Sequence, residues 1–166
     1  MSLSRLIGYS MRRRASLFLL LCAAFPWSAA ATEPSPTDVV TAIYRIYAGP
    51  KGDYQAGSIE DKRIAVLFTT SLRKALAAMN ARSRKSNEPI LDFDPVTDSQ
   101  GPQVERLSIA AESDSVVAAT FFSGAVKHVV RYVFKPEASG LKIDDISGGS
   151  GADAWDLRRT IAPGKK

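Results

Sequence analysis

Residues 115–146 read SVVAATFFSGAVKHVVRYVFKPEASGLKIDDI. Much of this stretch alternates with the period of two that sends successive side chains to opposite faces of a strand. Gly124-Ala125 and the segment from Pro136 to Gly140 divide it into three runs rich in β-branched and aromatic residues. Breaks this short suit hairpins and leave no room for a helical crossover, so neighbouring strands run antiparallel. A further run precedes them across Glu112-Ser113-Asp114. The pattern predicts four strands, Val104–Ala111, Ser115–Ser123, Val126–Lys135 and Leu141–Ile146, joined as a meander.

Upstream the period changes. Ser35-Pro36-Thr37-Asp38 supplies a capping serine, a proline at the first helical position and an acid three residues after the cap. Val39, Val40, Ile43, Tyr44 and Tyr47 follow on one helical stripe, and Gly49-Pro50 ends it. Ser58-Ile59-Glu60-Asp61 repeats the capping pattern and predicts a short second helix opening there. A third helix starts at Thr70 or Ser71, with Leu72, Ala75, Leu76 and Met79 as its apolar face. Pro89 to Pro102 reads as a loop, and Gly148-Gly149-Ser150-Gly151 as a linker to a last helical turn holding Trp155, Leu157 and Ile161. Helices first and strands afterwards make an α+β domain. The expected architecture is N-terminal helices packed on a four-stranded antiparallel sheet, with a short C-terminal helix.

The first 31 residues have a different logic. Arg12, Arg13 and Arg14 precede the apolar run Leu17 to Phe25, and Ala29-Ala30-Ala31 supplies small residues before Thr32. Basic, apolar and then small is the layout of a cleavable secretory signal. The uncharged run is far shorter than the roughly 20 residues that span a bilayer, so no stable membrane insertion is expected. The chain divides into a signal peptide at 1–31, a tether at 32–36 and one α+β domain at 37–162. Its expected location is periplasmic or secreted, after cleavage near Ala31.

Cleavage changes the charge. The whole chain has 22 basic and 17 acidic residues, a net charge of +5. Arg5, Arg12, Arg13 and Arg14 lie in the signal, leaving 22 − 4 = 18 bases against 17 acids, or +1. A near-neutral domain gives no support to nucleic-acid binding. Cys22, the only cysteine, also leaves with the signal, so the mature domain has no disulfide and no thiol chemistry.

One loop carries a family likeness. Leu91-Asp92-Phe93-Asp94-Pro95-Val96-Thr97-Asp98-Ser99-Gln100, with Ile143-Asp144-Asp145-Ile146 and Leu157-Arg158 downstream, resembles the bacterial exported proteins of domain-of-unknown-function family 3828. Gly101 and Leu141 depart from that family's pattern, which has an acid and a tryptophan there. The resemblance implies an NTF2-like (cystatin-like) cone, with helices closing over a curved sheet. It implies no activity, because a fold does not specify one.

The candidate residues fall into two groups. Asp92, Asp94, Pro95 and Gln100 read as a structural loop. Asp side chains accept backbone N–H bonds in turns, and the spacing of Asp92, Asp94 and Asp98 lacks the distal bidentate ligand of a calcium loop. Tyr44, His128, Tyr132 and Asp145 form a candidate pocket. Alternation places His128, the only histidine, on one face with Val130, Tyr132 and Phe134. There it serves either as a base or ligand contact or as a hydrogen-bonded rim residue. Alternation also puts Asp145 inward with Leu141 and Ile143, and Asp144 outward with Lys142. An inward Asp145 would either be a desolvated acid or cap the turn that follows. Arg82, Arg84 and Lys85 complement the dipole at the end of the third helix.

No stretch carries a recognisable catalytic or cofactor motif, and neither a cofactor nor a metal is expected. The sequence points first to an exported domain that binds a small apolar ligand or a protein partner without catalysis. Alternatives are an NTF2-like isomerase or hydrolase using His128 or Asp145 as base, and a structural subunit pairing through the outer sheet face at Val129 and Val133.

Overall fold

The computed structural model describes residues 33–164, all within the compact unit Thr32–Lys166. The export signal read in residues 1–31 lies outside the described residues. Helix α1 spans Pro36–Ala48, and both halves of its capping box are made: Asp38 N donates to Ser35 Oγ at 3.2 Å and Ser35 N to Asp38 Oδ2 at 3.1 Å. Such a cap stabilises a helix by about 1 kcal/mol. Val39, Val40, Ile43, Tyr44 and Tyr47 are its buried stripe, as their spacing predicts. Gly49 ends it with φ 57°, and a Cβ there would stand 2.5 Å from that of Ala56, so the turn requires glycine.

The second helix starts later than its sequence suggests. Ser58 Oγ accepts from Glu60 N in a tight turn, and Asp61 caps α2, Lys62–Ala65, by accepting from Arg63 N at 2.8 Å. Two capping residues stand in one short segment, and the later one wins because Ile64 buries from that register. Helix α3, Thr70–Ser86, is capped by Thr69 and closed by left-handed Asn87. Leu72, Leu76 and Met79 are buried on it and Ala75 partly so.

Five antiparallel strands follow in the order β1-β2-β3-β4-β5: Glu105–Ser113, Val116–Ser123, Val126–Glu137, Gly140–Gly148 and Trp155–Asp156. The meander holds, but the sheet has five strands and not four. The fifth comes from the segment read as a helical turn, where Trp155 and Asp156 pair with Gly148 and Ser147. Gly148 permits this: a Cβ there would meet the Trp155 indole at 2.6 Å. Only Leu157–Ile161 is helical, as α4, with Leu157 and Ile161 buried.

The inner face of the sheet carries Val117, Ala119, Phe121, Val130, Tyr132, Phe134, Ile143 and Ile146, all in one core with the apolar faces of α1 and α3. Helix α1 lies over β1 and β2, while α3 and α4 lie by β4. The segment Leu67–Thr69 runs along β4, with Ile143 N donating to Leu67 O and Thr69 N to Ile143 O, and covers part of that edge. Bulges interrupt β1 on the opposite edge, which discourages further strand addition. Among the described residues no helix is long and apolar enough to cross a membrane.

One bulge overturns a sequence expectation. Val133 pairs with Asp145 and Phe134 with Ile143, so Asp144 is an extra residue in β4. Strict alternation fails there, and Ile146, not Asp145, continues the buried face of Ile143. Asp144, expected to point outward with Lys142, is only 6% exposed.

Candidate functional site

The loop at 91–102 is anchored from three directions. Asp94 accepts from the Tyr47 hydroxyl at 2.8 Å, from Val96 N at 2.8 Å and from Thr97 N at 3.4 Å, and its own N–H donates to Ser99 O. Tyr44 donates its hydroxyl to Val96 O at 2.8 Å. Both tyrosines come from the buried stripe of α1, so the helix that fills the core also holds the loop. Pro95, Val96 and Thr97 are buried beneath it. Burial raises the Asp94 carboxyl above the usual range, against the downward pull of its three donors. Burial and the neighbouring Asp94 charge push the Tyr47 hydroxyl up in turn.

Asp98 makes the third anchor. It sits at φ 49°, in the left-handed region, with one carboxylate oxygen 3.0 Å from His128 Nδ1 and the other 2.6 Å from Trp155 Nε1. The carboxylate selects the tautomer in which Nδ1 carries the proton. The imidazole stacks on Phe121, its cross-strand partner, with centroids 5.2 Å apart and planes 8° off parallel. Trp155 in turn lies 4.9 Å from the Phe93 ring. Asp98 therefore ties the loop to β3 and β5 at once. Sequence alone lists it as a loop acid and gives no reason to join it to His128, thirty positions away.

Two of the four candidate pocket residues, Tyr44 and Tyr132, meet in the core; His128 adjoins them only through Phe121, and Asp145 stands apart. Tyr44 packs edge-on against Tyr132, with centroids 6.4 Å apart, and at 6.1 Å from Phe121, which carries His128. These rings fill the space between helix and sheet. Among the described residues the fully buried Tyr132 hydroxyl has no partner in hydrogen-bond geometry; burial drives its pKa upward, against the effect of the Tyr44 hydroxyl. Asp145 serves α4: its Oδ1 accepts from Ile146 N at 2.9 Å and from Arg158 N at 3.1 Å. Burial and the charge of Asp156 raise its carboxyl to about 6, while the Arg158 and Ile146 bonds oppose the rise. Both readings of Asp145 meet here: burial raises its carboxyl, and its Oδ1 accepts from Arg158 N at the start of the following helix.

A cluster that sequence reasoning missed surrounds Asp144. Lys135 Nζ reaches it at 2.6 Å, Arg158 Nη2 at 2.5 Å and Thr69 Oγ1 at 2.9 Å. Arg158 also donates to Asp144 O and Ser71 Oγ, joining α4, β4 and the start of α3. Burial would raise this carboxyl, but the donors outweigh it and leave the pKa below normal. The one available signal was the pairing of the Ile-Asp-Asp-Ile and Leu-Arg motifs.

Two clefts flank the 91–102 loop outside the aromatic core. One of about 670 Å³ runs between Ser58–Glu60, the α3 residues Met79, Asn80 and Ser83, and the loop from Pro89 to Gln100. A second, of about 320 Å³, meets it at Asp94, Ser99 and Gln100 and is walled by Tyr47 and Tyr54. All four residues read as structural line the larger cleft; Asp92 and Gln100 are exposed there, whereas Asp94 is half-buried and Pro95 buried. Among the described residues no group of three or more His, Cys, Asp or Glu is placed to hold a metal ion.

A scan against protein-family models finds no match to the chain, and searches of curated proteins and of solved structures find none either.

Proposed function

We propose that the protein is exported and acts outside the cytoplasm as a non-catalytic binding domain, with the cleft beside the 91–102 loop as its binding surface. The observation that carries this reading is the pairing of that cleft with a clamped wall. The loop is held by Tyr44, Tyr47, His128 and Trp155, so its shape exists before a ligand arrives. A preformed surface costs less to order on binding than a mobile one. The polar side chains deepest in the loop are occupied: Asp94 by three donors and Asp98 by two. They shape the site, which leaves contact with a ligand to the rim and to the apolar wall. Helices laid over one face of an antiparallel meander also suit the NTF2-like cone, with the space under the helices filled by tyrosines and phenylalanines.

Export and binding are tested separately. Expression of the full chain in a bacterial host, followed by fractionation and intact mass measurement, should give a periplasmic product beginning at Thr32. Retention of residues 1–31 in the cytoplasmic fraction contradicts export. For binding, native mass spectrometry of the exported protein should show a retained molecule or a captured partner. Trp155 is the sole tryptophan after Ala31 and touches the cleft residue Phe93. Its emission should therefore shift when the cleft fills.

A further inference from the structure

The lining of the two clefts is one-sided in charge. Glu60, Asp92 and Asp94 line the larger one, and among the described residues that line either cleft there is no lysine, arginine or histidine. The domain as a whole is close to neutral, so this is a local bias. The bases nearest in sequence, Lys62, Arg82 and Arg84, line neither cleft; Arg82 donates to Ile161 O, and Arg63 pairs with Asp61 at 2.6 Å. The remaining wall sets Ile90, Leu91 and Phe93, half-buried beside Met79, among the uncharged polar side chains of Ser58, Asn80, Ser83, Ser99 and Gln100.

We infer that the cleft takes an extended polypeptide segment carrying lysine or arginine between apolar side chains; this rests on the binding role proposed above. Charge complementarity selects the cation: Glu60 and Asp92 are exposed at the rim, where they attract a base without being desolvated first. Shape selects a chain over a compact ligand. Sites for small molecules close around most of the ligand surface, whereas these clefts are open to solvent and lie side by side, with Asp94, Ser99 and Gln100 in the lining of both. An extended segment uses such a length, placing alternate side chains toward wall and rim.

The test is an NMR titration of the exported, ¹⁵N-labelled protein with three synthetic pentapeptides of one apolar frame, bearing two lysines, two glutamines or two glutamates. The lysine peptide should move the amides of Glu60, Asn80, Asp92 and Gln100. It should weaken several-fold as salt rises from low to high ionic strength, because exposed charges are screened. Glu60→Gln and Asp92→Asn should each weaken it about 2- to 3-fold, the scale of one rim ion pair, with the folded spectrum unchanged elsewhere. Equal binding of the glutamine peptide overturns the charge inference and leaves the binding role standing. Shifts away from the cleft overturn both. A small molecule retained in the native mass spectrum, alongside no binding of the lysine peptide, overturns the peptide in favour of a compact ligand.

Discussion

Asp145→Asn should make the protein more stable at neutral pH. The Asp145 carboxyl rises from its ordinary 3.8 to about 6 because it is half-buried and lies beside Asp156. An acid with a raised folded-state pKa holds its proton more tightly folded than unfolded. Stability is therefore undiminished below about pH 4, falls as pH rises through the window from 3.8 to 6, and carries the full penalty above it. The shift of 6 − 3.8 = 2.2, at about 1.4 kcal/mol per unit, sets an upper bound of about 3 kcal/mol. Half of the group faces solvent, and screening reduces this to about 1 kcal/mol. Asparagine removes the charge and keeps an oxygen to accept from Ile146 N and Arg158 N. Urea unfolding followed by circular dichroism should show the variant about 1 kcal/mol more stable at pH 7.5, with the advantage gone by pH 4. In thermal melts that gain corresponds to roughly 3–6 °C for a domain of this size. A variant that is no more stable at pH 7.5, or whose difference is the same at both pH values, refutes the reasoning.

Three further outcomes follow from the same geometry. Tyr132→Phe removes a buried hydroxyl that makes no hydrogen bond among the described residues, and should be neutral or stabilising. Tyr44→Phe strips Val96 O of its donor and should cost about 1–2 kcal/mol, so denaturant midpoints for the pair should move in opposite directions or differ by that amount. Asp144→Asn weakens a buried hub for Lys135 and Arg158 and should cost about 2 kcal/mol near neutral pH. Because the folded Asp144 pKa is lowered, its contribution is present above about 3.8 and is lost as pH falls further, so the cost should shrink in acid unfolding curves. Asp98→Ala frees Trp155 Nε1 and His128 Nδ1 together; the Trp155 emission of the mature protein should shift red, and hydrogen exchange should quicken in residues 91–102 more than in β2 and β3.

What could be read in the sequence was set by local physics. The α1 capping box, its stripe of five buried residues and the meander with its short breaks depend on neighbours within a few positions. Capping, helical period and hairpin length are all encoded at that range. The errors came where a longer-range contact overrode the local rule. Asp61 displaced Ser58 as helix cap because Ile64 had a place in the core. The Asp144 bulge reversed the faces of both acids, and nothing in the Ile-Asp-Asp-Ile string signals a residue without a cross-strand partner.

By itself, then, the sequence determined the class of fold, the order of its elements as far as the fourth strand, the expectation of export and the lack of thiol chemistry after Ala31. Tertiary structure alone decided which polar groups meet. It joined Asp98 to His128 and Trp155, Asp144 to Lys135 and Arg158, and Tyr47 to Asp94, across separations of 9 to 57 positions. It also packed Tyr44 and Tyr132 into the core and set the part-buried His128 against Asp98. The reason is that apolar periodicity says which side of an element is buried, and not which neighbour it is buried against. Hydrogen bonds and ion pairs act over about 3 Å, so their partners exist only once the chain has packed.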